Sequence, residues 1–167
     1  METFASALRF GGFALAHAAY CVSDLKGGDL LIPFAVLEQD GKQSIERFYA
    51  ETQEEAIANG KASLDGFRNL LDYWAFVREG LRSVNGSDQK TDVLVVSTWA
   101  QGLEQPVILM QDYSPNTNGR FLLLGKTTVI VNDTIFAEEY QEEMRPVILE
   151  GVAAHAQGKN WKKWTAK

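Results

Sequence analysis

At 167 residues, with 46% hydrophobic and 23% charged side chains, the chain matches one ordinary globular domain able to bury a sizeable core. Its net charge of −6 argues against general nucleic-acid binding, which needs a basic surface. Cys21 is its single cysteine, so no intrachain disulfide can form, and a reducing cytoplasm is the expected compartment.

Thr3–Val22 is expected to be helical. Phe4, Leu8, Leu15, Ala19 and Val22 recur at helical spacing, and a run of alanines makes the helix thin enough to lie near a sheet. Its apolar part, Phe10–Val22, is shorter than the roughly 20 residues that span a bilayer. Arg9 before an apolar run and Ala16-His17-Ala18 resemble parts of a signal peptide. Gly11-Gly12 and His17 weaken that pattern, so a buried N-terminal helix is the expectation. Gly27-Gly28 then releases the chain in a new direction.

Leu30–Glu38 and Gln43–Ala50 read as a β-hairpin around Asp40-Gly41. Pro33 has no N–H to give, so the first strand is expected either at an edge or only after Pro33. Thr52–Asn69 reads as a helix, with Thr52 and Glu55 as a capping box. Ile57, Leu64 and Leu71 share one face with Gly60, whose missing side chain suits close packing on a sheet.

Strands follow at Tyr73–Leu81, Thr91–Trp99 and Val107–Tyr113, and Arg120–Leu124 and Thr127–Val131 read as two short strands or one bent strand, with Gly125 at the bend. Val93 to Val96 is an unbroken apolar run rich in β-branched residues, which suits a central strand covered on both faces. Asn85-Gly86 and the segment 114–119 (SPNTNG) supply the turns. Short links between successive strands favour an antiparallel meander. Asn132-Asp133-Thr134 is expected to end the last strand and cap a final helix. That helix carries an apolar stripe of Phe136, Tyr140, Met144, Val147, Ile148 and Val152, a kink or break near Arg145 before Pro146, and a cap at Gly158.

The fold class is therefore α+β: a mostly antiparallel sheet, hairpin plus meander, packed with an N-terminal, a middle and a C-terminal helix. Residues 1–158 form the domain and residues 159–167 a basic aromatic tail. Four of the 16 basic residues lie in that tail, leaving the rest of the chain at −10.

No catalytic, cofactor or metal set stands out. His17 and Cys21 share a helix face and His155 is the other histidine, but a structural zinc site usually needs four ligands. The final helix holds Glu138, Glu139, Glu142 and Glu143 without an E-x-x-H pattern, which suits a solvated acidic face or a docking surface for a basic partner. A phosphate loop and a G-x-S-x-G elbow are absent from the sequence. Trp161 and Trp164 lie three apart among lysines, so they either anchor a partner or fold back onto the domain.

The expectation is a non-catalytic acidic protein of the cytoplasm that binds another protein, as an immunity protein or a secretion chaperone does. Its partner-binding residues would be Glu138, Glu139, Glu142, Glu143, Trp161 and Trp164; a homo-oligomer is compatible with this, and a transmembrane segment is not expected. The alternative is a small-molecule-binding domain or enzyme with a pocket between sheet and helices. Asp72, Arg78, Glu79, His17 and Tyr113 are its candidate polar groups. Tyr73, Trp74, Phe76, Trp99 and Tyr113 are expected along one sheet face. Helices on one side only would leave the other side as a cleft or interface.

Overall fold

The computed structural model describes residues 2–26, 29–84, 86–116 and 119–165. The turn signals at Gly27-Gly28 and Asn85, part of the 114–119 loop and the last two tail residues lie outside the described residues. In order, the elements are α1 (Glu2–Ser23), β1 (Phe34–Gln39), β2 (Lys42–Arg47), α2 (Gln53–Phe67), β3 (Tyr73–Ser83), β4 (Lys90–Ala100), β5 (Val107–Ser114), β6 (Leu122–Val131), β7 (Thr134–Ile135), α3 (Glu138–Ala154) and α4 (Trp161–Thr165). All seven strands pair antiparallel in one sheet of order β2-β1-β3-β4-β5-β6-β7, so the fold is α+β. The Val93–Val96 run occupies β4, the middle strand. As expected, β1 starts just after Pro33, and Asp40 and Gly41 both take positive φ in the hairpin turn.

One sheet face is buried under α1, with α3 lying against α1. Val36, Val77, Leu94, Val96, Leu109 and Val129 point into this layer and meet Leu8, Leu15, Ile148 and Val152. The helices approach closely because each brings glycine to the crossing. A Cβ on Gly12 would lie 2.0 Å from the Ile148 carbonyl oxygen, and one on Gly151 would lie 1.8 Å from that of Arg9. On the sheet side, a Cβ on Gly11 would lie 2.8 Å from Thr98 and Leu109. The N-terminal helix is thus a slab clamped between α3 and the sheet.

The other face is covered only in part. α2 packs over β1 and β3 through Leu64, with Phe48, Leu71, Trp74 and Phe76 beneath it. Gly60 sits directly on Phe76: a Cβ there would be 2.3 Å from the ring. Thr52 Oγ1 accepts the Glu55 N–H at 3.1 Å, which supplies the expected start of α2.

The aromatic set does not share a face, because strand parity divides it. Tyr73 and Tyr113 point under α1, whereas Trp74, Phe76 and Trp99 point toward α2. Asn132 and Asp133 are not a helix cap. Both adopt positive φ, at 52° and 60°, and form the tight turn from β6 into the two-residue β7. α3 begins later, at Glu138, with no side-chain cap. It runs through Pro146 unbroken to Ala154. Gly158 is not its cap either: His155 holds that place, and Gly158 packs against the Val152 carbonyl. The apolar stripe holds at Met144, Ile148 and Val152, but at its start Tyr140 is exposed and Gln141 is buried instead.

Candidate functional site

The register shows what the open half of the sheet presents. Pairing carries one outward row from Phe76 through Ser97, Ile108 and Ile130 to Ile135. The next row runs Arg78, Val95, Met110, Thr128. Antiparallel sheets with a solvated face normally place polar residues there. Here three strands place apolar ones, Ile108 and Met110 on β5, Ile130 on β6 and Ile135 on β7, and α2 stops short of them. Ile108, Met110 and Ile130 are half-buried and belong to neither core cluster; Ile135 is 65% exposed. Trp99 marks the boundary, stacked on Trp74 at 6.2 Å, with its indole N–H donated to the Leu103 carbonyl.

One end of this face carries two arginines, one of them neutralised. The Arg82 guanidinium pairs with Asp112, which holds its pKa above the usual arginine value. Arg78 lies two residues from Gly80 on the same sheet face, with its guanidinium over that glycine, and donates to the Glu79 carbonyl at 3.5 Å. No carboxylate faces Arg78 among the described contacts.

The four glutamates of α3 divide into two kinds. Glu138 and Glu142 are answered within the molecule: Arg145 pairs with both, and Lys126 Nζ reaches Glu142 at 2.8 Å. Lys126 and Arg145 together hold the Glu142 carboxyl below its ordinary range. Glu139 and Glu143 are exposed. In the tail, Trp161 and Trp164 pack back onto the domain, with Trp164 edge-on to Phe121 at 5.4 Å. Lys159, Lys162 and Lys163 face water.

Folding back the tail closes a cavity of about 360 Å³ between β5, β6, α3 and α4. Its floor is a bulge: Gln111 alone on β5 stands opposite Gly125, Lys126 and Thr127 on β6. The buried Gln111 amide answers the bulge, donating to the Leu124 and Gly125 carbonyls at 3.1 and 3.2 Å and accepting from the Thr127 hydroxyl at 2.7 Å. Ile148, Leu149, Pro146 and Trp161 form apolar walls, and Arg145, Lys126 and Glu142 stand at the mouth.

Two residues of α3 replace a missing strand here. β7 is too short to pair with the whole β6 edge, so the Gln141 amide accepts from Val129 N–H at 2.8 Å and donates to Val129 carbonyl at 2.9 Å. One turn later, Arg145 Nε donates to the Thr127 carbonyl at 2.9 Å. A glutamine within an acidic helix and one within an apolar strand were the available sequence signals, but neither names its backbone partner.

The other polar candidates scatter. Glu79 and Tyr113 do meet: the phenol donates to the carboxylate at 2.7 Å, and the Leu31 N–H donates to its other oxygen at 2.6 Å. Burial, then the Glu79 contact, pushes the phenol pKa far up, so it stays protonated. Asp72 instead accepts from the Asp40 N–H in the hairpin, and Arg78 is on the opposite sheet face. His17 pairs with His155, Nδ1 to Nε2 at 3.0 Å. Gln157 N–H donates to His155 Nδ1, so His155 carries its proton on Nε2 and donates a hydrogen bond to His17 Nδ1, while the buried His17 Nε2 has no partner among the described residues. Burial, then His155, lowers the His17 pKa to about 4. Cys21 is half-buried, and burial raises its thiol pKa. Among the described residues no group of three or more His, Cys, Asp or Glu side chains is placed to hold a metal ion. Nor is any described helix long and apolar enough to cross a membrane.

Comparison with protein-family models, curated proteins and solved structures returned no match.

Proposed function

We propose that this chain is a non-catalytic, acidic protein of the cytoplasm that binds another protein, and that the partner seats on the open half of the sheet. The carrying observation is the outward row Ile108, Ile130 and Ile135 beside Met110, which among the described residues belongs to neither core cluster. Burying such a surface contributes about 25 cal/mol per Å² of apolar area, an incentive that a polar sheet face lacks. Arg78 at one end, with no ion pair among the described residues, favours a partner segment whose apolar face ends in a carboxylate, whereas Arg82 is already answered by Asp112.

The basic partner anticipated for the acidic helix has a weaker claim. Glu138 and Glu142 already spend their charge on Arg145 and Lys126, which leaves Glu139 and Glu143 to recruit it. The test is photocrosslinking in the native cell, with a photoreactive amino acid placed at Met110 in one variant and at Glu139 in another. The proposal expects a discrete protein adduct from position 110 and none from 139. The reverse pattern would move the partner to the acidic helix and overturn the sheet-face reading.

A further inference from the structure

We infer that the cavity above the β6 bulge is a second, separate binding site, for a neutral and mainly apolar small molecule. At about 360 Å³ it lies near the lower end of the range for small-molecule sites. The character of its occupant follows from which polar groups remain unanswered. On the floor, Gln111 spends its amide on the Leu124 and Gly125 carbonyls and on the Thr127 hydroxyl. The Thr127 carbonyl accepts a hydrogen bond from Arg145 Nε. At the mouth, Lys126 and Arg145 are balanced by Glu142 and Glu138.

A charged ligand entering the apolar part of the cavity would lose its hydration with no unanswered polar group to replace it, because Gln111 and the charges at the mouth are already partnered. A neutral ligand avoids that loss. It gains contact with Ile148, with Leu149, which is 46% exposed, and with the indole of Trp161, which offers a flat face for stacking. The site depends on the tail, because Trp161 is one of its walls. It does not depend on the open sheet face, which lies on the other side of the sheet.

The test uses the full chain and the neutral dye N-phenyl-1-naphthylamine, whose fluorescence rises in apolar surroundings. Leu149→Glu places a charge in the wall at an exposed position that the fold tolerates; Met110→Glu does the same on the open sheet face. Wild type is expected to bind one dye saturably, Leu149→Glu about tenfold or more weakly, and Met110→Glu as well as wild type. Unchanged binding by Leu149→Glu, or loss of binding in Met110→Glu alone, would place the dye elsewhere and overturn the inference. Absence of saturable binding by wild type would also overturn it and leave the cavity to a partner's side chain.

Discussion

Replacing Gly151 by alanine tests the clamped-helix architecture directly. The new Cβ would stand 1.8 Å from the Arg9 carbonyl oxygen, 2.7 Å from its carbon and 3.0 Å from Arg9 Cα. All three are backbone atoms, so no rotamer change relieves the clash. The helices would have to part by about 1 Å or more, in an interior packed too densely to absorb it. α1 cannot retreat, because Gly11 already lies against Thr98 and Leu109. α3 must therefore lift from Leu8, Leu15 and the sheet, opening a gap along buried Ile148 and Val152.

Overpacking of this kind costs about 3 kcal/mol or more, and the better helix propensity of alanine returns about 1, for a net loss of at least about 2. With an m-value near 2 kcal/mol/M, the urea midpoint falls by about 1 M or more, read by far-UV circular dichroism. Gly66→Ala is the control: it lies in α2 with nothing within 4 Å of the added Cβ, and is expected to stabilise by up to about 1 kcal/mol. An unchanged or raised midpoint for Gly151→Ala would refute the crossing, and with it the placement of α1 between α3 and the sheet.

Other consequences are smaller in scope. Gln141→Leu strips both buried Val129 backbone groups of their partner and should cost about 2 to 4 kcal/mol in urea unfolding; a loss under 1 would mean that the β6 edge is satisfied otherwise. Thr52→Ala removes the hydroxyl that accepts Glu55 N–H and should cost about 1 kcal/mol, with no midpoint change counting against that helix start. The His17 pKa is lowered from 6.5 to about 4, so between those values the unfolded chain binds the extra proton. Stability from this site is therefore full above pH 6.5, declines as pH falls toward 4 and is flat below. Because the ring is only partly enclosed, the decline should be about 1 to 2 kcal/mol. His17→Gln should flatten that limb of the stability–pH curve, and an identical curve would remove the pair from the account.

Much of the sheet was legible because local signals agreed. Val93–Val96 in β4, Asp40-Gly41 in the hairpin and Thr52 at the start of α2 each carry a short-range physical reason. The misread positions are those where one residue type serves two purposes. Asn132 and Asp133 suit a helix cap and a tight turn equally, and a two-residue strand leaves no periodicity to decide between them. Gly158 looks like a cap but is required by the Val152 carbonyl beside it, a contact set by how the tail returns. Tyr140 was placed on the apolar stripe because an exposed tyrosine and a buried glutamine invert the usual order. Gln141 is inside because β7 ends too soon.

The sites were less legible still. Trp161 and Glu142 stood out as residue types, and both border the cavity. Gln111 and Arg145, which shape its floor and mouth, did not, because their partners are backbone carbonyls created by a bulge. The open face could be posed as a question from sequence but not located, since coverage by α2 depends on tertiary packing.

The uncovered apolar rows of β5 to β7 are proposed to hold a protein partner. The most direct test is quantitative affinity capture from native cell extract, comparing tagged wild type, Ile108→Glu/Ile130→Glu and Glu139→Lys/Glu143→Lys, with native mass spectrometry of each complex and circular dichroism confirming that each variant folds. A stoichiometric heterologous protein is expected with wild type and with the charge-reversed variant, and its loss is expected from the sheet-face variant. A partner kept by the sheet-face variant and lost on charge reversal would contradict it, as would a wild-type protein recovered only as a dimer of itself.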